Sequence, residues 1–510
     1  MRGISLAAGG LALLCSAAVA QQPAVERADL GSNLFAVGTL RASQGALPPT
    51  LWRGADVDDV RFLLRNAPGR PSSPAAADLL RRTLLSPGAS PDGADEELAG
   101  HKLSLLARTG STEGARSVAS LADVENDPFA ARALVEADLA DGRLRDACLR
   151  SADLKEGRER AFWLKLRVVC YAAADENEAA DLTLGLLRDV GEVDEVDDAL
   201  LSTIVTGRRP KSPPAPRSPL ELAMARQAGL PVATALGAPS DASVLRALAL
   251  DTELDDAARV TAARKAAYAG AISIAEARSV LQAPRFRLNE IVEAESAARR
   301  RPGDPRTDAL LYQAISEMTA PELQERKIKL MDIALGQPET PERLHLLAAV
   351  LVDDIARVPP TRERADVASS FALALLAAGD GERAASWIAT LIPGPDGRPA
   401  DGAWKNPQLA ADLTHFLEPL EPQLALALRG IAQSEGADVR QPIGPRIIEL
   451  GSDDPASDEY RDSAAYAAGL VDALVNCIES RSAGVCALTA VVATDAPLDL
   501  KAMGDVVRDR

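Results

Sequence analysis

Residues 139–147 read Leu-Ala-Asp-Gly-Arg-Leu-Arg-Asp-Ala, and this stretch decides the fold. An apolar helical run stops at the Asp-Gly pair, because glycine readily adopts the left-handed backbone that ends a helix. A second helical run follows at once and carries a small residue, Ala147, five positions after Gly142. Two antiparallel helices joined by a tight turn cross about one helical turn beyond it, where only a small residue fits. The stretch therefore predicts a helical hairpin.

The same arrangement recurs along the chain. The turns at Gly110 and Asp175 lie 32 and 33 residues from Gly142, and further turns occur at Gly270 and Gly379. The alanines five residues after these turns are the predicted helix-crossing positions: Ala115, Ala147, Ala180, Ala275 and Ala384. A period in the low thirties is typical of stacked helix pairs. We therefore predict an all-α fold, a right-handed array of antiparallel helical hairpins in two segments.

The composition agrees with close-packed helices. Aromatic residues make up only 3% of the chain, whereas strands favour aromatic and β-branched residues. No strand-like alternation extends over more than four residues. The side chains that we expect to be buried in the arrays are Leu105, Leu134, Leu139, Trp163, Leu166, Leu184, Leu373 and Trp387.

Composition shifts divide the chain into segments. They are a signal peptide at 1–20, an irregular lead-in at 21–56, a first helical array at 57–206, a proline-rich linker at 207–219, a second helical array at 220–435, an irregular connector at 436–456 and a C-terminal helical unit at 457–510. In the lead-in, Leu47-Pro48-Pro49-Thr50-Leu51-Trp52 predicts an extended segment pinned onto a neighbour. In the second array, the strongest helical patterns cover 256–269, 307–318, 321–335, 340–356 and 362–378.

The first twenty residues are typical of an export signal. A charged start at Arg2 precedes an apolar run from Ile4 to Val19 and a small-x-small cleavage site ending at Ala20. We expect cleavage between Ala20 and Gln21, no membrane insertion afterwards, and a periplasmic location. A lipoprotein anchored through Cys15 and an uncleaved anchor are the alternatives.

Four cysteines follow the signal, and an even number in an exported chain indicates disulfides. Cys148 lies six residues after the Gly142 turn, and Cys170 lies five residues before the Asp175 turn. Consecutive antiparallel helices bring these two positions to the same end of the array, so we predict that they pair. We also predict a Cys477–Cys486 pair across a turn supplied by Gly484. Buried free thiols are the alternative for the first pair.

The hairpin pattern resembles the tetratricopeptide repeat. Gly142 and Ala147 occupy the positions of that repeat's turn and small crossing residue. Tyr171 matches its packing tyrosine, and Asp127-Pro128 is similar to its closing proline step. The remaining repeat positions are degenerate, and the resemblance covers about half of the chain. It implies a TPR-like α-solenoid and does not indicate a ligand.

The overall layout resembles a second group, a family of exported bacterial helical-repeat proteins that automatic pipelines sometimes label antifreeze glycopeptide-like. The resemblance rests on the signal, the 47–52 segment, Leu79 to Pro87, and helix pairs that carry two cysteines. No regular Ala-Ala-Thr run is present that would support ice binding.

The motifs of the common enzyme classes are missing from the sequence. It has no phosphate-binding glycine loop, no nucleophile elbow and no Cys-x-x-Cys pair. The histidines His101, His345 and His415 lie alone in helical runs, without the His-x-x-x-His spacing of a zinc site. We therefore predict no catalytic residues, no cofactor and no metal. A cavity with mutually hydrogen-bonded titratable side chains would count against the absence of catalysis.

The net charge of −18 disfavours nucleic acid, because binding to nucleic acid requires a basic face. We expect an exported scaffold that binds a protein or peptide through a concave face that is acidic on average. An architectural envelope component that acts by self-association is one alternative. A lytic-transglycosylase-like enzyme is another, but Glu435 follows Ser434 in the reverse of that family's order, and too few residues remain for its lysozyme-like domain.

Overall fold

The computed structural model describes residues 34–121, 127–336, 340–391 and 482–495, with side chains described as far as residue 492. Helices joined by turns and irregular segments make up these residues, and no strand occurs among them. The all-α prediction is confirmed for this part of the chain. Short 3₁₀ turns lie at Leu34–Ala36, Ala42–Gln44, Val232–Gly237, Pro321–Leu323 and Arg362–Val367.

The α-helices up to the proline-rich segment are α1 (Val57–Asn66), α2 (Pro74–Leu85), α3 (Glu96–Arg108), α4 (Thr112–Ser120), α5 (Pro128–Ala140), α6 (Leu144–Asp153), α7 (Ala161–Ala173), α8 (Asn177–Val190) and α9 (Glu195–Thr206). Those that follow are α10 (Pro219–Gln227), α11 (Ala242–Leu250), α12 (Asp256–Tyr268), α13 (Ile274–Gln282), α14 (Leu288–Val292), α15 (Ala294–Arg300), α16 (Pro305–Glu317), α17 (Gln324–Leu335), α18 (Pro341–Ile355), α19 (Ala368–Ala377), α20 (Gly381–Leu391) and α21 (Ala483–Asp495).

Local signals set the helix ends. At the start of α5, the Asp127 carboxylate accepts a hydrogen bond from the Phe129 amide, and Pro128 fills the first helical position. All five predicted turn residues have a positive φ, which lies between 61° at Asp175 and 86° at Gly110. Asp175 is the one residue other than glycine with a positive φ in the described ranges. An aspartate tolerates this conformation better than most side chains, so the turn keeps its shape without a glycine.

Four of the five predicted crossing alanines, Ala115, Ala147, Ala180 and Ala384, are fully buried. The fifth prediction is wrong, because Ala275 is exposed. Helix α13 begins four residues after Gly270, whereas the second helix begins two residues after each of the other turns. The buried residue is Ala277, so the small residue occupies the fourth position of the second helix in all five cases.

The interior largely follows the sequence. Seven of the eight side chains expected in the core are buried, and Leu134 is only partly buried. The apolar interior of the described residues forms two main clusters. The N-terminal cluster combines residues from 34–137 with Val485, Leu488, Val491 and Val492 of α21, and the central cluster covers residues from 131–391. Helix α5 contributes to both.

The proline-rich segment lies between the end of α9 at Thr206 and the start of α10 at Pro219. Buried residues on both sides of it belong to the central cluster. Helix α10 packs against α5, α7 and α9, which precede the segment. Ion pairs also join the two sides, since Arg108 pairs with Asp241 at 3.1 Å. The two predicted arrays therefore share a core, and the division into domains stays a prediction.

Residues 47–52 anchor α21 onto the lead-in, but they form turns rather than an extended segment. Leu51 and Trp52 are buried, and the Leu51 carbonyl accepts hydrogen bonds from the Gly484 amide and the Ser482 hydroxyl. A Cβ atom on Gly484 would lie 2.4 Å from the Trp52 ring, so only glycine permits this approach. Helix α21 consequently packs against α1 and α2.

Most helices pack against their neighbours in sequence, and several also pack against the next helix but one, as in α3 with α5 and α7 with α9. This arrangement is compatible with an α-solenoid. The predicted Cys148–Cys170 disulfide is present, with the Cα atoms 5.7 Å apart, and it joins α6 to α7. Cys486 is also disulfide-bonded, but its predicted partner Cys477 lies outside the described residues. No helix in the described part of the chain has the length and apolar character needed to span a membrane.

Candidate binding groove

A groove of about 1130 Å³ lies over the first-array helices and α10. Its walls come from α1, α3, α5, α7, the end of α8, α9 and α10 and from the segments that precede α7, α9 and α11. No motif in the sequence indicated it. The volume lies just above the range that is typical of small-molecule pockets, so the groove has room for several side chains.

Helix α3 presents one polar stripe to the groove. Glu97, His101, Ser104 and Arg108 recur at three- and four-residue spacing and all line it. Gly100 lies within this stripe, where a Cβ atom would come within 2.2 Å of the Phe129 Cβ. The absence of a side chain at Gly100 therefore lets α3 and α5 pack closely against each other at this part of the groove.

Aromatic rings from α5 and α7 form the middle of the groove: Phe129, Phe162 and Trp163. The guanidinium of Arg132 on α5 lies 4.6 Å from the ring centre of Phe162 on α7. In the opposite direction, the Arg160 guanidinium lies 4.9 Å from the Phe129 ring centre. These reciprocal cation–π contacts join α5 and α7 across the groove and hold the rings at its surface.

Ion pairs line the groove, and most of them connect its walls. Arg65–Glu97 at 2.6 Å joins α1 to α3, Lys165–Asp197 at 2.5 Å joins α7 to α9, and Arg108–Asp241 at 3.1 Å joins α3 to the residue before α11, whereas Arg132–Glu136 at 3.1 Å lies within α5. Ser104 donates to the second oxygen of Glu136 at 2.5 Å. The carboxylates of Asp197 and Glu136 are almost fully buried, where a charge without a partner would be costly. The pairs therefore fix the geometry of the walls.

His101 is a neutral member of this surface. Its Nε2 atom accepts a hydrogen bond from Arg65 Nε at 3.0 Å and lies 3.4 Å from the Glu97 carboxylate. Burial, together with the neighbouring Arg65, lowers the pKa of His101 below its ordinary value. The imidazole consequently stays uncharged at neutral pH, and its Nε2 atom is occupied.

The lining carries more acidic than basic side chains. The carboxylates are Glu97, Glu136, Glu159, Glu192, Asp194, Asp197, Glu221 and Asp241, and the cations are Arg65, Arg108, Arg132, Arg160 and Lys165. Glu159 and Glu192 are exposed and form no ion pair with any described residue. Asp194 and Glu221 share one cation, Arg217, at 2.9 Å each. The residual charge of the groove is negative.

The hydrogen-bonded titratable groups in this groove count against the prediction that catalysis is absent. Each of them is nevertheless occupied by a partner within the chain. His101 Nε2 faces Arg65, and Ser104 faces Glu136, whose other oxygen accepts from Arg132. Ion pairs that hold helices together produce the same signature as a catalytic cluster, so we assign no reaction to them.

The other predicted positions lie away from the groove. His345 packs edge-on to Tyr268, with ring centres 5.9 Å apart, and burial lowers its pKa. The described residues hold no group of histidine, cysteine or carboxylate side chains suited to a metal ion. Predictions that concern Cys15, Ala20, Gln21, His415, Glu435 and Cys477 lie outside the described residues.

Comparison of the chain with protein-family models, curated proteins and solved structures found no match. The resemblance to the tetratricopeptide repeat therefore rests on the sequence positions named above alone.

Proposed function

We propose that the protein is a scaffold of the cell envelope, located in the periplasm, that holds an extended protein or peptide segment in the groove. One observation carries the proposal: a groove of about 1130 Å³ brings aromatic rings and fixed charges from six helices onto one surface. Aromatic anchors surrounded by polar side chains are typical of surfaces that bind polypeptides. The TPR-like α-solenoid that we propose as the finer fold would also present such a surface.

The test uses a fluorescent pool of randomised nonapeptides, with binding to the full chain measured by anisotropy. Phe162→Ala removes one ring of the groove and should weaken binding severalfold, as expected for an aromatic anchor. Phe286→Ala is the matched control. Phe286 is also partly buried beneath an arginine, Arg306 at 5.0 Å, but it lies outside the groove. No binding to the wild-type chain, or equal losses in the two variants, would refute the proposal.

Self-association is a second candidate, and one observation favours it. Leu182, Leu186 and Val190 recur every four residues on α8 and are 77%, 51% and 46% exposed. Gly185 lies among them in the helix interior, with nothing within 4 Å of an added Cβ atom. Such a glycine costs about 1 kcal/mol relative to alanine. An antiparallel second copy of α8 would place Leu186 against its own counterpart and use the space at Gly185.

Sedimentation analysis at micromolar concentrations tests this second candidate. The wild-type chain should sediment as a dimer, and the double variant Leu182→Lys/Leu186→Lys should sediment as a monomer. Leu288→Lys, which replaces an equally exposed leucine on α14, should leave the dimer intact. A monomeric wild-type chain would exclude the candidate.

A further inference from the structure

We infer that the segment held in the groove is basic, and that a lysine or arginine of the partner lies at the end formed by Glu159, Glu192 and the Asp194–Glu221 pair. The inference rests on the proposed function, because it names the partner chemistry of the same groove. It follows from how the chain's own charges are paired.

Most cations of the groove are already neutralised within the chain. Arg65, Arg108, Arg132 and Lys165 each contact a carboxylate of the lining. The remaining lining cation, Arg160, forms no ion pair with a described residue and stacks on Phe129. An acidic partner would have to displace carboxylates from their existing pairs. A basic partner meets Glu159 and Glu192, which form no ion pair with a described residue, and two carboxylates that share one cation, Arg217.

The carboxylates in excess over cations lie toward one end of the groove: Glu159 and Glu192 form no ion pair with a described residue, and Asp194 and Glu221 share the single cation Arg217. Glu159 immediately precedes α7, Glu192 and Asp194 immediately precede α9, and Glu221 lies in the first turn of α10. These three helices pack against one another. The opposite end, formed by α1 and the start of α3, is balanced by Arg65–Glu97 and carries the neutral His101. The groove therefore has an acidic end and a neutral end.

The positive ends of helices α7, α9 and α10 reduce this negative charge. A helix terminus contributes about half an elementary charge, which falls off within the first turn. Each helix end thus offsets only part of one carboxylate. Glu159 and Glu192 are exposed and precede the first residues of α7 and α9, so the end of the groove stays attractive to a cation.

The rings beside the acidic end suit the stem of a basic side chain. Within this chain, Arg132 and Arg160 already stack on Phe162 and Phe129 at 4.6 and 4.9 Å. Lysine and arginine bury their methylenes on apolar surface while the charged group reaches outward. A partner residue can therefore use the apolar middle of the groove for its stem and the carboxylates for its charge.

The experiment compares three nonapeptide pools that are identical except at two fixed positions, which are both lysine, both glutamine or both glutamate. The lysine pool should bind the wild-type chain about three- to tenfold more tightly than the glutamine pool, and the glutamate pool should bind most weakly. In the variant Glu159→Lys/Glu192→Lys, the order of the lysine and glutamate pools should reverse. Raising the salt concentration should weaken the binding of the lysine pool more than that of the other two pools.

The control must separate the groove from the overall charge of −18, which attracts any basic peptide. Glu322→Lys/Glu382→Lys changes the net charge equally at exposed positions outside the groove and should leave the order of the pools unchanged. Equal binding of the three pools would overturn the inference and leave the proposed function intact. A lysine preference that survives Glu159→Lys/Glu192→Lys would also overturn it. If none of the three pools binds, both the inference of a basic partner and the proposed function are refuted.

Discussion

The N-terminal and central clusters each contain an edge-to-face phenylalanine–tryptophan pair, built in different ways. In the central cluster, Phe371 on α19 and Trp387 on α20 meet across the Gly379 turn, with ring centres 5.1 Å apart. In the N-terminal cluster, Phe35 and Trp52 meet at 5.2 Å, and both belong to the lead-in outside any α-helix. Gly484 of α21 lies directly against the Trp52 ring.

The comparison shows two ways of closing a helical core. The central pair depends on a hairpin between consecutive helices, which the chain can form locally. Phe35 and Trp52 are close in sequence, but the helix that covers them, α21, is more than 400 positions away. The Ser482 hydroxyl beside α21 donates to the Leu51 carbonyl across a separation of 431 residues. Long-range closure of this kind has a larger entropic cost and is completed only when the rest of the fold is in place.

The largest effect should separate these two modes. Trp52→Ala and Trp387→Ala should each cost about 3–5 kcal/mol, because both remove a buried ring. Only Trp52→Ala should accelerate amide exchange in α21, which packs on that ring. Hydrogen-exchange mass spectrometry of residues 485–492 measures this. Equal protection of α21 in the two variants would show that the lead-in does not hold it.

The disulfide should contribute next, and only to the central cluster. It closes a loop with a sequence separation of 22 residues, so replacing both Cys148 and Cys170 by serine should cost about 3 kcal/mol in chemical unfolding. Peptide mapping without reductant should recover Cys148 and Cys170 in one cross-linked fragment from protein made in the periplasm. Recovery of both as free thiols would contradict the pairing.

The helix crossing should show a smaller effect with an internal control. Ala147→Leu inserts volume at a fully buried crossing and should cost about 1–3 kcal/mol. Ala275→Leu, at the exposed position that the turn spacing wrongly selected, should change the unfolding free energy by less than about 0.5 kcal/mol. Ala277→Leu should resemble Ala147→Leu. An unchanged melting temperature of Ala147→Leu would show that residue 147 does not lie at a close helix crossing.

A further effect, which depends on pH, should appear as a slope of stability in the N-terminal cluster. Burial lowers the pKa of Lys102 from 10.5 to about 7, and its Nζ atom donates to the carbonyls of Phe35 and Val37 at 2.7 Å each. Between pH 7 and 10.5, the unfolded chain binds a proton that the folded chain has lost, so stability rises with pH through this window. The slope from this group should be at most about 1.4 kcal/mol per pH unit.

Denaturant unfolding of the wild-type chain and of Lys102→Met from pH 7 to 10 measures this slope. The variant loses both hydrogen bonds to the lead-in, so its stability should be lower than that of the wild type near pH 10, and this difference should shrink or reverse toward pH 7, where the wild type bears the cost of deprotonating the lysine. The slope is the informative quantity, since Lys102→Met should remove it. Parallel pH profiles for the two proteins would contradict the burial of a titrating lysine beneath the lead-in.

The candidate groove shows why part of the site was not predictable. The polar residues of α3 recur at helical spacing, which in sequence is indistinguishable from an ordinary solvated face. Their partners come from distant elements: Arg108 pairs with Asp241, 133 residues away. Periodicity identifies which residues share a helix face, but it carries no information about what that face meets.

The sequence by itself determined the hairpins. Turn conformation depends on a few adjacent residues, so glycine and aspartate marked the five predicted hairpin turns, each of which has a positive φ. The Ser273–Glu276 capping box that starts α13 was also present in the sequence and would have placed the crossing at Ala277. Only the tertiary structure decided the groove, the burial of Lys102 and the docking of α21 on Trp52. Each of these depends on surfaces that exist only after distant helices have packed, and short-range backbone preferences do not encode such surfaces.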